Sequence, residues 1–231
     1  MLMISFGSPR VTVRPKIKRK LSCGQTVEHS PQDEKMLWAA YDYMQGYSKR
    51  RAYETRIEQL KGTSSPSTEE GVKTLEMLRE LEEKYTSLIR EDLKISPKDL
   101  EVLIAELGVS TSMETIRHMI YEVDELVDEM ISWDEFVLAY HRNVSDNSGS
   151  EPSNFFRLME FVLFDPHHKG RIVEDDVMEV LFARIGAARL EEELQSIFGN
   201  SRRANGGDGT ISLQQYLNAC VMKDGRRALV F

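Results

Sequence analysis

An isoleucine recurs four times in this 231-residue chain, each time between two stretches of helical periodicity: Ile95, Ile131, Ile172 and Ile211. Four residues beyond each stands an acid or an amide: Asp99, Glu135, Asp176 and Gln215. The isoleucines lie 36, 41 and 39 residues apart, a period that marks one supersecondary unit used repeatedly. A β-branched residue suits a short pleated contact, so each isoleucine is expected to pair its loop with that of a neighbouring unit.

The intervening sequence reads as helix. Ser30-Pro31-Gln32-Asp33 has a capping residue followed by proline at the first helical position. Leu37, Tyr41, Met44, Tyr47, Ile57 and Leu60 continue at helical spacing, which predicts one long helix over 31–62 ending at Gly62. Residues 63–68 form a linker. Val72, Leu75, Leu78, Leu81, Tyr85 and Leu88 mark a second amphipathic helix. Beyond it come short helices punctuated by Gly, Pro or Ser, with almost no β patterning. The expected fold class is all-α.

A branched residue at loop position 8 and a carboxylate at position 12, between two helices, is the EF-hand pattern. Ile95–Gly108, then Thr111–Asp124, then Ile131-Ser-Trp-Asp-Glu-Phe136 resemble the calmodulin superfamily in register. Leu163-Phe-Asp165, Gly170-Arg-Ile172 and Gly207-Asp-Gly-Thr-Ile-Ser212 repeat the theme. The resemblance covers roughly residues 72–222 and implies two lobes of paired EF-hands. Lobe 1 (hands 1 and 2) spans 69–142, lobe 2 (hands 3 and 4) spans 153–222, and 223–231 is a C-terminal tail. Residues 1–62 lie outside the resemblance.

Calcium takes about six to eight oxygens, supplied in these loops from positions 1, 3, 5, 7, 9 and 12, with glycine at position 6 for the turn. Loop one (88–99) places Leu88, Arg90 and Leu93 at positions 1, 3 and 6. Loop two (124–135) has Asp124, Asp128, Ser132 and Glu135 on ligand positions, yet Leu126 at position 3 and Glu129 in place of the turn glycine. Loop three (165–176) puts His167 and Lys169 on ligand positions, and its position-12 acid is the shorter Asp176. Loop four keeps Gly206, Asp208, Gly209 and Gln215 behind an insertion near 200–204. The expectation is a scaffold without a cofactor. One weak calcium site in loop two is the alternative.

The net charge of −8 hides a split. Residues 1–62 hold 12 Lys/Arg against 6 Asp/Glu, while 63–231 hold 18 against 32. Residues 1–30 read as an extended basic arm carrying Arg10, Arg14, Lys16, Lys18, Arg19 and Lys20. Such a start also has the composition of a transit peptide. No window reaches the roughly 18 apolar residues of a membrane span. Cys23 and Cys220 have no CxxC partner, which speaks against zinc or redox chemistry. No P-loop, GxGxxG or HExxH occurs, so no enzyme activity is expected. His167-His168 reads as a surface pair, and His29, His118 and His141 as single helix residues.

These features point to a structural or adaptor protein. Phe155, Phe156, Met159 and Phe182 crowd hand three and are candidates for a groove that accepts a partner's amphipathic helix. The arm suits an acidic protein surface such as tubulin. It lacks the interleaved aromatics of a nucleic-acid binder. The resemblance to calmodulin and centrin implies a cytoplasmic, cytoskeletal setting such as a ciliary axoneme. A calcium sensor or light-chain-like regulatory subunit is the alternative.

Overall fold

The computed structural model describes residues 17–21, 24–63, 69–90, 93–146 and 148–224. Among them are ten helices and two short two-stranded sheets. The chain runs β1 (Ile17–Lys20), β2 (Thr26–His29), α1 (Pro31–Met44), α2 (Tyr47–Thr63), α3 (Glu69–Arg90), α4 (Pro97–Glu106), α5 (Met113–Tyr121) and α6 (Trp133–Ser145). It continues through α7 (Asn154–Phe164), β3 (Arg171–Val173), α8 (Glu174–Ile185), α9 (Ala187–Phe198), β4 (Thr210–Ser212) and α10 (Leu213–Asp224).

The four isoleucines pair as their chemistry requires. Ile95 and Ile131 exchange both backbone hydrogen bonds, at 3.0 and 2.9 Å, and Ile172 lies opposite Ile211 in the antiparallel β3–β4 ladder. All four side chains are buried. The helices that leave these loops start on serine caps at three of the four units. Ser96, Ser132 and Ser212 sit three residues before Asp99, Glu135 and Gln215, in the reciprocal arrangement of a capping box. Loop three has Val173 at that place and no side-chain cap.

Two helix–loop–helix pairs were expected to form separate lobes, but one continuous core runs through both. Its bridge is α7, which packs against α5 and α6 of the first pair and α8 and α10 of the second. The first turn of α7 has no cap of its own; Glu122 supplies it, accepting from Phe155 N at 3.0 Å and Asn154 Nδ2 at 2.6 Å. Burial raises the Glu122 carboxyl above its usual value.

The helix expected over 31–62 is two helices. It breaks at Gln45-Gly46, where Gly46 has φ +60° and lies against the Leu93 side chain. A Cβ at position 46 would stand 2.3 Å from Leu93 Cδ1. Only glycine accepts both the left-handed backbone and the close approach. The expected apolar stripe is real: Leu37, Tyr41, Met44 and Tyr47 are buried and join the shared core. Helix α1 thus covers α4, α6 and α7 of its own chain.

The arm also differs from expectation. Strands β1 and β2 pair antiparallel as a hairpin in which Lys18 stands opposite Glu28, with an ion pair at 3.0 Å. Leu21 and Val27 are buried against Val137 and Leu138 of α6. The hairpin therefore packs on the body, taking Lys18, Arg19 and Lys20 with it. Arg10, Arg14 and Lys16 lie outside the described residues, as does the 64–68 linker.

Candidate functional site

The four loops were the strongest candidate site, so the partners of their acceptor atoms decide what they can do. In loop two, Asp124 at position 1 accepts from the backbone of positions 5 and 6: Asp128 N at 3.2 Å and Glu129 N at 2.8 Å. Loop three repeats this geometry. Asp165 accepts from Lys169 N at 3.0 Å and Gly170 N at 2.7 Å. Both loops turn through the left-handed region at positions 4 and 6, with Val127 and Glu129 in one and His168 and Gly170 in the other. The Glu129 strain foreseen from the missing glycine is present, at φ +60°. Each non-glycine residue held there costs about 1–2 kcal/mol.

In loops one and two the position-12 acceptors face protein donors. Glu135 Oε2 accepts from Ser132 N at 2.8 Å and Ser132 Oγ at 2.6 Å, and its Oε1 accepts from Leu126 N at 3.0 Å. Asp99 is buried and accepts from Ser96 N at 2.9 Å and Ser96 Oγ at 2.6 Å on one oxygen. Its other oxygen accepts from Ser48 N at 2.8 Å and Ser48 Oγ at 2.7 Å at the start of α2. The Lys94 ammonium of loop one pairs with Asp128 at position 5 of loop two. In loop four the insertion folds into two short 3₁₀ turns, 199–201 and 203–205. Arg202 from this insertion is buried against Glu174 at 2.8 Å and Glu191 at 2.5 Å.

Of the candidate metal ligands, the structure brings Asp124, Asp128, Ser132 and Glu135 around one loop, each holding a hydrogen bond or ion pair within the protein. Among the described residues no group of three or more His, Cys, Asp or Glu side chains is arranged to hold a metal ion.

The groove expected on hand three is corrected. Phe155 and Met159 are fully buried in the shared core, because α1 lies over α7. Phe156 is partly buried and lines a 310 Å³ cavity with Leu181, Ile197 and Arg184. Phe182 is 54% exposed on α8.

His118 and His141 lie on α5 and α6, as expected. His29 ends strand β2 and is not on a helix. Its Nδ1 lies 3.2 Å from His141 Nε2 of α6, tying the hairpin to the body. Burial and the neighbouring His29 pull His141 below the usual histidine value, against the attraction of Asp33. His167 and His168 are exposed, and the His168 ring stacks on Tyr43 of α1 at 3.6 Å between centroids and 1° between planes. Burial lowers its pKa, with Arg50 and His167 acting in the same direction and Asp165 opposing. The stack borders a cleft where Tyr47 Oη donates to Glu106 at 2.7 Å and Arg51 pairs with the same carboxylate at 2.8 Å. No local motif signals these contacts, since their partners lie far apart in sequence.

The loop geometry consists of two paired sets of helix–loop–helix units. No protein-family model matches the chain. It is 27% identical over 157 residues to a probable calcium-binding protein, CML25, of Arabidopsis thaliana, covering 67% of this chain and 80% of that protein. It is also 27% identical over 123 residues to a probable calcium-binding protein, CML8, of Oryza sativa subsp. japonica, covering 53% of this chain and 61% of that protein. The chain is thus similar to calmodulin-like calcium-binding proteins, and no helix among the described residues is long and apolar enough to cross a membrane.

Proposed function

We propose that this chain is a non-catalytic, calmodulin-like adaptor that binds partner proteins largely without calcium. The observation that carries the proposal is the state of the position-12 acceptors. Asp99 accepts four hydrogen bonds from Ser48 and Ser96, and Glu135 accepts three from Ser132 and Leu126. A cation would have to displace these donors, and at loop two the Lys94 ammonium as well. The loops keep the backbone form that position-1 Asp and the left-handed turns impose, with protein donors supplying the positive ends. The scaffold is set before any ion arrives.

The alternative is a calcium sensor with one weak site in loop two, favoured by the names of the two relatives. Calorimetric titration of the full chain with calcium separates the two, with Trp133 fluorescence as a second readout beside Glu135. No heat of binding up to millimolar calcium is expected. Micromolar binding would establish the sensor.

An acidic protein surface such as tubulin, in a cytoskeletal or ciliary setting, is the counter-surface proposed for Arg10, Arg14 and Lys16. Its support is charge. Binding of the full chain to microtubules should fall steeply with added salt and drop when these three residues are replaced by alanine. Unchanged binding would remove tubulin from consideration.

A further inference from the structure

Hairpin β1–β2 lies outside the repeated units and meets α6 through two kinds of contact. Leu21 and Val27 are buried with Val137 and Leu138. His29, the last residue of β2, is buried as well, and its Nδ1 lies 3.2 Å from His141 Nε2 of α6. Two ring nitrogens at that distance share one hydrogen: one ring donates, and the other accepts through a bare nitrogen. The pair holds when both rings are neutral. It also holds when the donor ring is charged, because a charged imidazole still donates. It cannot hold two charged rings, since both nitrogens of the contact would then carry a hydrogen.

We propose that His29 and His141 form a proton-operated latch, which keeps hairpin β1–β2 on α6 at neutral pH and releases it when both rings are charged. The surrounding groups set where this happens. Glu34 of α1 faces the other nitrogen of His29 at 3.8 Å. A 560 Å³ cavity reaches both rings, bordered by Glu28 of β2, Asp33 of α1, Tyr140 of α6, and Asp176, Glu179 and Arg184 of α8. Arg184 is paired with Glu160 at 2.5 Å. The acids favour a first proton on the pair, and the cavity gives it a route from solvent. A second proton meets a charged ring across the 3.2 Å contact. Burial and His29 hold His141 below the usual histidine value, against the attraction of Asp33. Docking is therefore complete above the free-histidine value near 6.5 and weakens as pH falls below it. A released hairpin uncovers Val137 and Leu138 and carries the exposed Lys18 and Lys20 away from the body. The latch goes beyond the adaptor reading and does not depend on it.

The test is amide hydrogen exchange of the full chain at pH 7.5 and 5.5, with each rate compared to the intrinsic rate at that pH. The amides of β1 and β2 should be protected at pH 7.5 and lose about tenfold of that protection at pH 5.5, the effect of one proton taken up on release. Helix α7, which lies in the shared core, should stay better protected than the hairpin at both values. His141→Gln keeps a hydrogen-bonding side chain that does not titrate, and His29→Gln does the same from the hairpin side. In each variant the hairpin should be equally protected at the two pH values. A parent hairpin equally protected at both values overturns the latch. So does exchange of the hairpin and α7 in step, which would be unfolding of the whole chain. A tenfold loss that persists in both glutamine variants also overturns it, and assigns the proton to the surrounding carboxylates.

Discussion

Loop two and loop three start from the same geometry and are completed by different neighbours. Each has an aspartate at position 1 holding two backbone amides, and each bends through the left-handed region at positions 4 and 6. Loop three uses glycine at position 6 and stacks its position-4 histidine on α1. Loop two has glutamate at position 6, leaves its position-4 valine exposed, and receives a lysine from loop one. Loop two holds two non-glycine residues in the left-handed region and loop three one, whose ring has a stacking partner. The same loop form is therefore held by different residues, with donors of the protein itself on its acceptors.

The largest effects should come from what the two loops share. Ile131→Ala and Ile172→Ala each remove a buried side chain at a loop pair and should cost about 2–5 kcal/mol in denaturant unfolding. If one costs far less than the other, the two pairs are not equivalent. Next come the position-1 acids. Asp165→Ala and Asp124→Ala each strip two charge-assisted hydrogen bonds, an expected loss of about 2–3 kcal/mol. The more buried Asp165 should be the costlier. A neutral result at Asp124 would mean that loop two keeps its form by other means.

The sharpest separation comes from glycine at position 4. Val127→Gly should stabilise by about 1 kcal/mol, because it removes strain and loses little contact. His168→Gly removes similar strain but also the Tyr43 stack, worth about 0.5–1.5 kcal/mol, so it should be neutral or destabilising. Thermal midpoints of the two variants check this; stabilisation at both would show that the stack contributes nothing. The smallest effect is on pH. His168 and His141 are both held below the usual histidine value by burial, so the fold favours their neutral forms. That contribution is complete above the unfolded-state value near 6.5 and declines as pH falls below it. The thermal midpoint should drop between pH 7.5 and 5, and less so in His168→Gln. Identical profiles would exclude His168 as a source.

Much of this was legible residue by residue. Ser30-Pro31 announced the start of α1, and Leu37, Tyr41 and Met44 announced its buried face. The four isoleucines announced two loop pairs, and Glu129 announced a strained turn. These features are local, or rest on a repeat that a single sequence displays. The break at Gly46 had a signal in the glycine itself, masked by apolar spacing that runs on to Tyr47. Other features had none. Part of the expected extended arm became a hairpin because Leu21 and Val27 found Val137 and Leu138. Phe155 and Met159 had the composition of a groove, yet α1 lies over α7 and buries them.

By itself the sequence determined the helical period, the serine caps and the pairing isoleucines, because propensity, capping and spacing act over a few residues. Tertiary structure decided which acceptors are occupied and by what. Ser48 reaches Asp99 and Tyr43 reaches His168 only once α2 and α1 have packed on the loops, and Lys94 reaches Asp128 through the pairing of loops one and two. Such contacts join residues that chain distance does not relate, and burial makes them decisive: a buried carboxylate must find donors, and here the protein supplies them.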